Sequence, residues 1–248
     1  SEKSADDLRR ELQDALRPED IGLYFADMGG RPILKSRRYF LPEFLAMAFP
    51  AAQPVLSWFF AELTDDAASV VYSFIAGVPE ELMPIPATEC WLSEQLGLQP
   101  GTGPAQLRYF QVGAFRDITL NDASFARLRL VDDRAITRSL SADIPGLTDA
   151  ASCSHWDAPL PVDLKRIRDD DEVYWREHGA KPKAYIALSR AQELFGANAL
   201  SGLLFPAGAD VTTLDAQLSS LLRAESGLLH CFEPREESLA NALAGVDF

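Results

Sequence analysis

The chain has few cysteines, few basic residues relative to acidic ones, and no internal repeat or low-complexity tract, and each shortage removes a class of protein. Three scattered thiols, Cys90, Cys153 and Cys231, build no disulfide framework in 248 residues, which favours a reducing compartment. With 23 basic against 37 acidic residues the formal charge is −14. A field of that sign repels nucleic-acid phosphates and anionic lipid, so direct binding to nucleic acid or membrane is not expected. A basic protein partner is attracted instead. The N-terminal residues Ser1 to Asp7 are polar and acidic and show no secretory pattern, as expected of a cytoplasmic chain. No Gly-x-Ser-x-Gly elbow is present. Gly101-Thr102-Gly103 has neither the lysine of a phosphate loop nor the third glycine of a dinucleotide site. An ordinary apolar fraction of 47% argues against global disorder.

One uncharged run, Phe44 to Ala61, approaches the length of a membrane span. Pro50 and Pro54 would break such a helix twice, so the run reads as a short helix, a turn and a second helix beginning near Pro54. Upstream, Ser4 caps an amphipathic helix with Leu8, Leu12, Ala15 and Leu16 on one stripe, and Arg17-Pro18 ends it. A strand is expected at Ile21 to Ala26 before the Gly29-Gly30 turn, and another at Ser69 to Ala76, which is rich in β-branched and aromatic residues. Next comes an expected helix capped by Thr88, faced by Trp91, Leu92 and Leu96 and stopped at Gly97. Ala105 to Leu130 alternates as strands do, with a turn at Asn121 and Asp122.

The clearest unit lies further on. Tyr185 to Leu188 suits a buried strand, Ser189 with Gln192 forms a capping box for a helix through Ala191, Leu194 and Phe195, and Gly202 to Phe205 reads as a strand ended by Pro206. Leu214, Leu218, Leu221 and Leu222 share a helix face. Gly227 stops that helix, Leu228 to Phe232 reads as a strand and Glu236 to Ala244 as a final helix. The expected fold is α+β, a mixed, largely antiparallel sheet flanked by helices. An N-terminal α+β region of residues 1–140 and a C-terminal one of 164–248 are separated by a long loop or linker at 141–163, or the two form one continuous domain.

Several residues invite chemistry. Cys153 and His155, with His230 and Cys231, supply soft ligands, but their spacing suits no common zinc module and adjacent strand residues point to opposite faces. The same residues sit in no nucleophile motif. Asp169, Asp170, Asp171 and Glu172 lack the glycine and distal glutamate of a calcium loop and, flanked by arginines, read as a solvated mixed-charge face. Neither metal nor cofactor is expected. Trp156, Asp157 and Trp175, with that acidic run, are the candidate partner-binding residues, because tryptophan among charged groups is the mixture found at interaction hot spots.

The stretch from Tyr185 through Ser189 and Phe195 to Leu200-Ser201-Gly202-Leu203-Leu204-Phe205-Pro206 resembles the C-terminal end of bacterial immunity proteins of polymorphic-toxin and type VI secretion systems. The resemblance implies a non-catalytic protein that neutralises a cognate toxin by covering it, and it carries over no functional residue. A toxin acting on nucleic acid or nucleotides is often basic where it binds its substrate, and a strongly acidic inhibitor would gain association rate by steering. An enzyme with a Cys/His or carboxylate site and an accessory subunit of a secretion assembly are the alternatives.

Overall fold

A computed structural model describes residues 4–112, 118–157, 160–197 and 199–224. The chain divides into two compact units, Gly22–Ala209 and a second drawn from Ser1–Ile21 with Asp210–Phe248.

The larger unit is built on a sheet of ten described strands: β1 (Leu23–Asp27), β2 (Pro32–Ser36), β3 (Gln53–Thr64), β4 (Ser69–Val78), β5 (Glu89–Ser93), β6 (Ala105–Val112), β7 (Ile118–Phe125), β8 (Arg127–Val131), β9 (Ala184–Ala187) and β10 (Gly202–Leu204). Their order is β1-β2-β10-β3-β4-β9-β5-β8, with β6 alongside the later part of β3 and β7 beyond it. The β4–β9 and β5–β8 pairs run parallel and the other described pairs antiparallel. Three helices accompany the sheet: α2 (Phe44–Ala48), α3 (Asp169–His178) and α4 (Leu188–Phe195); the smaller unit holds α1 (Ala5–Ala15) and α5 (Val211–Ala224). This is an α+β fold with a mixed, largely antiparallel sheet. Strands from before residue 141 and after residue 163 interleave in that one sheet.

β3 is the axis, and it replaces the second helix expected near Pro54. Buried residues occur on both of its faces, so the run is uncharged as far as Ala61 and carries no strand-like alternation to read. Proline is tolerated there because Pro54 is the second residue of the strand. Leu56 and Phe60 pack on one face; Phe59 and Ala61 pack on the other. The parity then flips, because Ala61 and Tyr72 are skipped in the β3–β4 register and Leu63 returns to the face of Phe60. Tyr72 takes φ 43° at this irregularity, a left-handed conformation that a bulky side chain adopts only when its surroundings hold it there. Its hydroxyl accepts a hydrogen bond from the Asp163 N–H at 3.1 Å and its ring lies beneath the Arg166 guanidinium, 5.5 Å from the centroid.

α4 closes the face of Leu56, Phe60 and Ile186. Its cap is Ala187, which offers no side-chain acceptor, so Ser189 is the second residue of the helix and the expected capping box does not form. Gly196 does end it, at φ 132°. The close approach of α4 to the sheet depends on Gly77: a Cβ there would stand 2.2 Å from the Ala191 Cβ. Gly77→Ala is therefore expected to lower the unfolding free energy by about 1–3 kcal/mol in urea denaturation, the usual cost of overpacking.

Two further expectations are corrected. Residues 89–93 form β5, not a helix capped by Thr88; Ser93 instead caps a 3-10 turn, Glu94–Leu96, by accepting from the Gln95 N–H. Gly97, at φ 65°, does stop that turn. Asn121 and Asp122 lie within β7, opposite Tyr109 and Arg108, and Asp122 answers the Arg108 guanidinium at 3.1 Å. Polar residues are at home there because β7 pairs only with β6 among the described strands and most of its residues are exposed or half-buried.

The irregular segment 141–163 covers the second face of the sheet. Ala142, Ile144, Leu147 and Cys153 pack with Phe59, Phe74, Phe110 and Trp175.

In the smaller unit Ser4 caps α1 by accepting from the Asp7 N–H, as its sequence implies. The Gln13 amide donates to the Arg223 carbonyl at 2.7 Å, and Leu218 and Leu222 are buried on α5. Leu8 and Leu12 remain largely exposed, so the expected apolar stripe is only partly covered. The expected stop at Gly227, strand at Leu228 to Phe232 and helix at Glu236 to Ala244 lie outside the described residues.

Candidate functional site

The acidic run opens α3, and its four carboxylates take different roles. Asp171 is buried and its Oδ2 accepts from the backbone N–H and Nε of Arg168, both at 3.1 Å, while its Oδ1 meets the Lys183 ammonium at 2.6 Å. Burial pushes the Asp171 carboxyl up, but Lys183 and Arg168 outweigh it and hold the group below the usual carboxylate range. The Lys183 ammonium is itself lowered by burial, against the pull of Asp171. Glu172 reaches back to the irregular segment, accepting from the Ser154 N–H at 2.8 Å and the Cys153 N–H at 3.1 Å. Asp169 and Asp170 point to solvent and have no hydrogen-bond or ion-pair partner among the described residues. The run is thus only half the solvated face its composition suggested.

The candidate tryptophans are brought together, largely inside. Trp156 and Trp175 meet edge to face at 4.9 Å. Trp175 is buried and its indole donates to the Ala150 carbonyl at 3.0 Å; Trp156 is half-buried, with its Nε1 enclosed and unpartnered among the described residues. Asp157 is exposed.

Cys153 and His155 share a 3-10 turn, but the thiol faces the core and the imidazole faces Ser152, Nδ1 to Oγ at 2.6 Å. Burial, then the Glu172 carboxylate, pushes the Cys153 thiol up to about 12. At neutral pH it is therefore a thiol, the form that neither attacks nor ligates. No group of three or more histidine, cysteine or acidic residues converges among the described residues, while His230 and Cys231 lie outside them. Gly101 and Gly103 turn their N–H groups onto Asp65 at 2.7 Å and Asp66 at 3.3 Å, which fills with carboxylates the place a phosphate would need.

Sequence reasoning missed a second buried network beside α3. Asp133, almost wholly enclosed, accepts from the Ser93 hydroxyl at 2.8 Å and the Tyr185 hydroxyl at 2.6 Å. Lys181 lies 3.2 Å from its Oδ2 and donates to the Asp133 carbonyl at 2.8 Å and the Gln95 side chain at 2.7 Å. Burial lowers the Lys181 ammonium, opposed by Asp133. Lys181 thus lies among three oxygen acceptors, all of them internal. The overlooked signal was the alternation Lys181, Lys183, Tyr185, which sets three polar-tipped side chains at every second residue of a segment entering an apolar strand.

Between α3 and residues 94–98 lies a cleft of about 170 Å³ lined by Gln95, Leu96, Leu98, Asp170, Val173 and Glu177, with Arg168, Asp171, Tyr174 and His178 completing it. Burial, then the Lys181 charge, lowers the His178 imidazole.

No protein-family model matches this chain, and a search of curated proteins returns no match. No helix among the described residues is long and apolar enough to cross a membrane.

Proposed function

We propose that this is a non-catalytic cytoplasmic binding protein, an immunity protein that neutralises a cognate bacterial toxin by protein–protein occlusion. The observation that carries the reading is the distribution of charge around α3. The buried cations Lys181 and Lys183 are consumed in internal pairs with Asp133 and Asp171, while Asp169 and Asp170 face solvent without a countercharge among the described residues. Together with the chain's net charge of −14, this favours a basic partner, such as a toxin directed at nucleic acid or nucleotides. The high thiol pKa of Cys153 and the wholly internal pairing of Lys181 favour binding over turnover.

Co-expression with the product of the gene immediately upstream, assayed for toxicity on its own, tests the proposal. Protected growth and a stable one-to-one complex are expected, with an association rate that falls about tenfold or more between low and physiological salt. Undiminished toxicity, or turnover of a small molecule abolished by one polar substitution that leaves the fold intact, would overturn it.

A further inference from the structure

Asp170, Val173 and Glu177 are spaced three and four residues apart and form one stripe of α3 along the cleft. Val173 is 43% exposed, an apolar step between two carboxylates, and Leu96 and Leu98 supply the facing apolar wall. Seven helical residues set those carboxylates about 10 Å apart along the axis. A volume of about 170 Å³ admits one long side chain; it falls below the roughly 300–1,000 Å³ of pockets for drug-sized ligands.

Charge singles out the occupant. Asp170 has no partner among the described residues. Glu177 has only the His178 Nε2, at 3.8 Å, and burial with the Lys181 charge disfavours the cationic form of that imidazole, which makes it a poor countercharge. Glu177 also sits in the last turn of α3, where the helix dipole disfavours an anion, and a cation from outside would relieve both costs. Arg168 is engaged by Asp171 at 3.1 Å and by the Ser69 carbonyl at 3.0 Å, and Asp171 also by Lys183, so that trio carries one positive charge against the two carboxylates of Asp170 and Glu177 and leaves the cleft net negative.

We propose that this cleft receives one basic side chain, an arginine or lysine presented by the partner protein, with its aliphatic stem on Val173, Leu96 and Leu98 and its charged head at Asp170 or Glu177. The proposal rests on the partner reading above and names where that partner is gripped. Long cationic side chains bury their stems on apolar surface and keep their heads at a polar rim, and this cleft offers both.

The test titrates the full-length chain, isotopically labelled, with a capped Gly-Arg-Gly peptide, its Gly-Lys-Gly counterpart and a neutral Gly-citrulline-Gly control, followed by amide NMR. Shifts confined to residues 94–98 and 170–178 are expected with the arginine or lysine peptide and absent with citrulline. The Asp170→Asn/Glu177→Gln double variant, whose substituted side chains are exposed, should keep its urea midpoint and weaken peptide binding tenfold or more. Equal binding of citrulline, shifts elsewhere, or unchanged affinity in the double variant would each overturn the proposal. Toxin protection separates the two readings. If the wild type and the double variant protect equally and no peptide binds, the cleft assignment falls and the immunity reading stands. If the peptide binds in the cleft but the wild type gives no protection, the immunity reading falls and the cleft assignment stands.

Discussion

Lys183→Met is expected to lower the unfolding free energy by about 3–5 kcal/mol in urea denaturation at pH 7, because it strands the buried Asp171 carboxylate. Methionine fills nearly the same space, so lost packing contributes little. Arg168 remains within 3.1 Å of Asp171 but is itself half-exposed, which sets the loss toward the lower end of that range. Asp171→Leu combined with Lys183→Met should recover most of the deficit, since removing both charges removes the desolvation cost as well. The acid side gives an independent reading. Asp171 has its carboxyl lowered in the folded state, so the unfolded chain binds the proton more readily. The stability it contributes is complete above the unfolded carboxylate value near pH 4 and is lost as pH falls through the lower folded value. A variant lacking this carboxylate should therefore show a shallower decline in stability below about pH 4, followed by circular dichroism. An identical decline would mean that Asp171 is not linked to acid unfolding.

Asp133→Ala should be comparably damaging, at about 3–5 kcal/mol by thermal or urea unfolding. One carboxylate there serves the Ser93 hydroxyl, the Tyr185 hydroxyl and the Lys181 ammonium, and alanine leaves all three facing a cavity. Asp133→Asn retains a carbonyl acceptor and the side-chain shape, so it should cost clearly less, about 1–3 kcal/mol, mainly through the uncompensated Lys181 charge. Equal losses for the two substitutions would mean that shape, not hydrogen bonding and charge, is what Asp133 supplies.

The fold class was legible because most elements follow local rules. Ser69 to Ala76 carries the β-branched and aromatic residues of a strand, Ser4 caps α1, and Gly97 and Gly196 stop their elements through left-handed or otherwise glycine-favoured backbone. The helix expected near Pro54 and the one expected after Thr88 failed for a shared reason. β3 and β5 are buried on both faces, so period two is erased and short apolar runs become ambiguous. Asn121 and Asp122 misled because polar residues on an edge strand look like a turn. The acidic run was visible in sequence, but the buried role of Asp171 was not. That role depends on Lys183, twelve residues away on the approach to β9, and pairing at such separation leaves no local mark. The cleft was hidden likewise, because its two walls come from residues 94–98 and from α3.

The placement of the last described strands bears on how a newly made chain acquires its shape. β9 lies between β4 and β5, and β10 between β2 and β3, so each late segment supplies a hydrogen-bonding edge to strands translated long before it. Until residues 184–204 leave the ribosome, β2 through β5 present unsatisfied edges beside apolar surface, and their long-range pairings must wait. A nascent chain halted before residue 184 would thus depend on chaperone shielding, and release of that shielding should coincide with the emergence of β9 and β10.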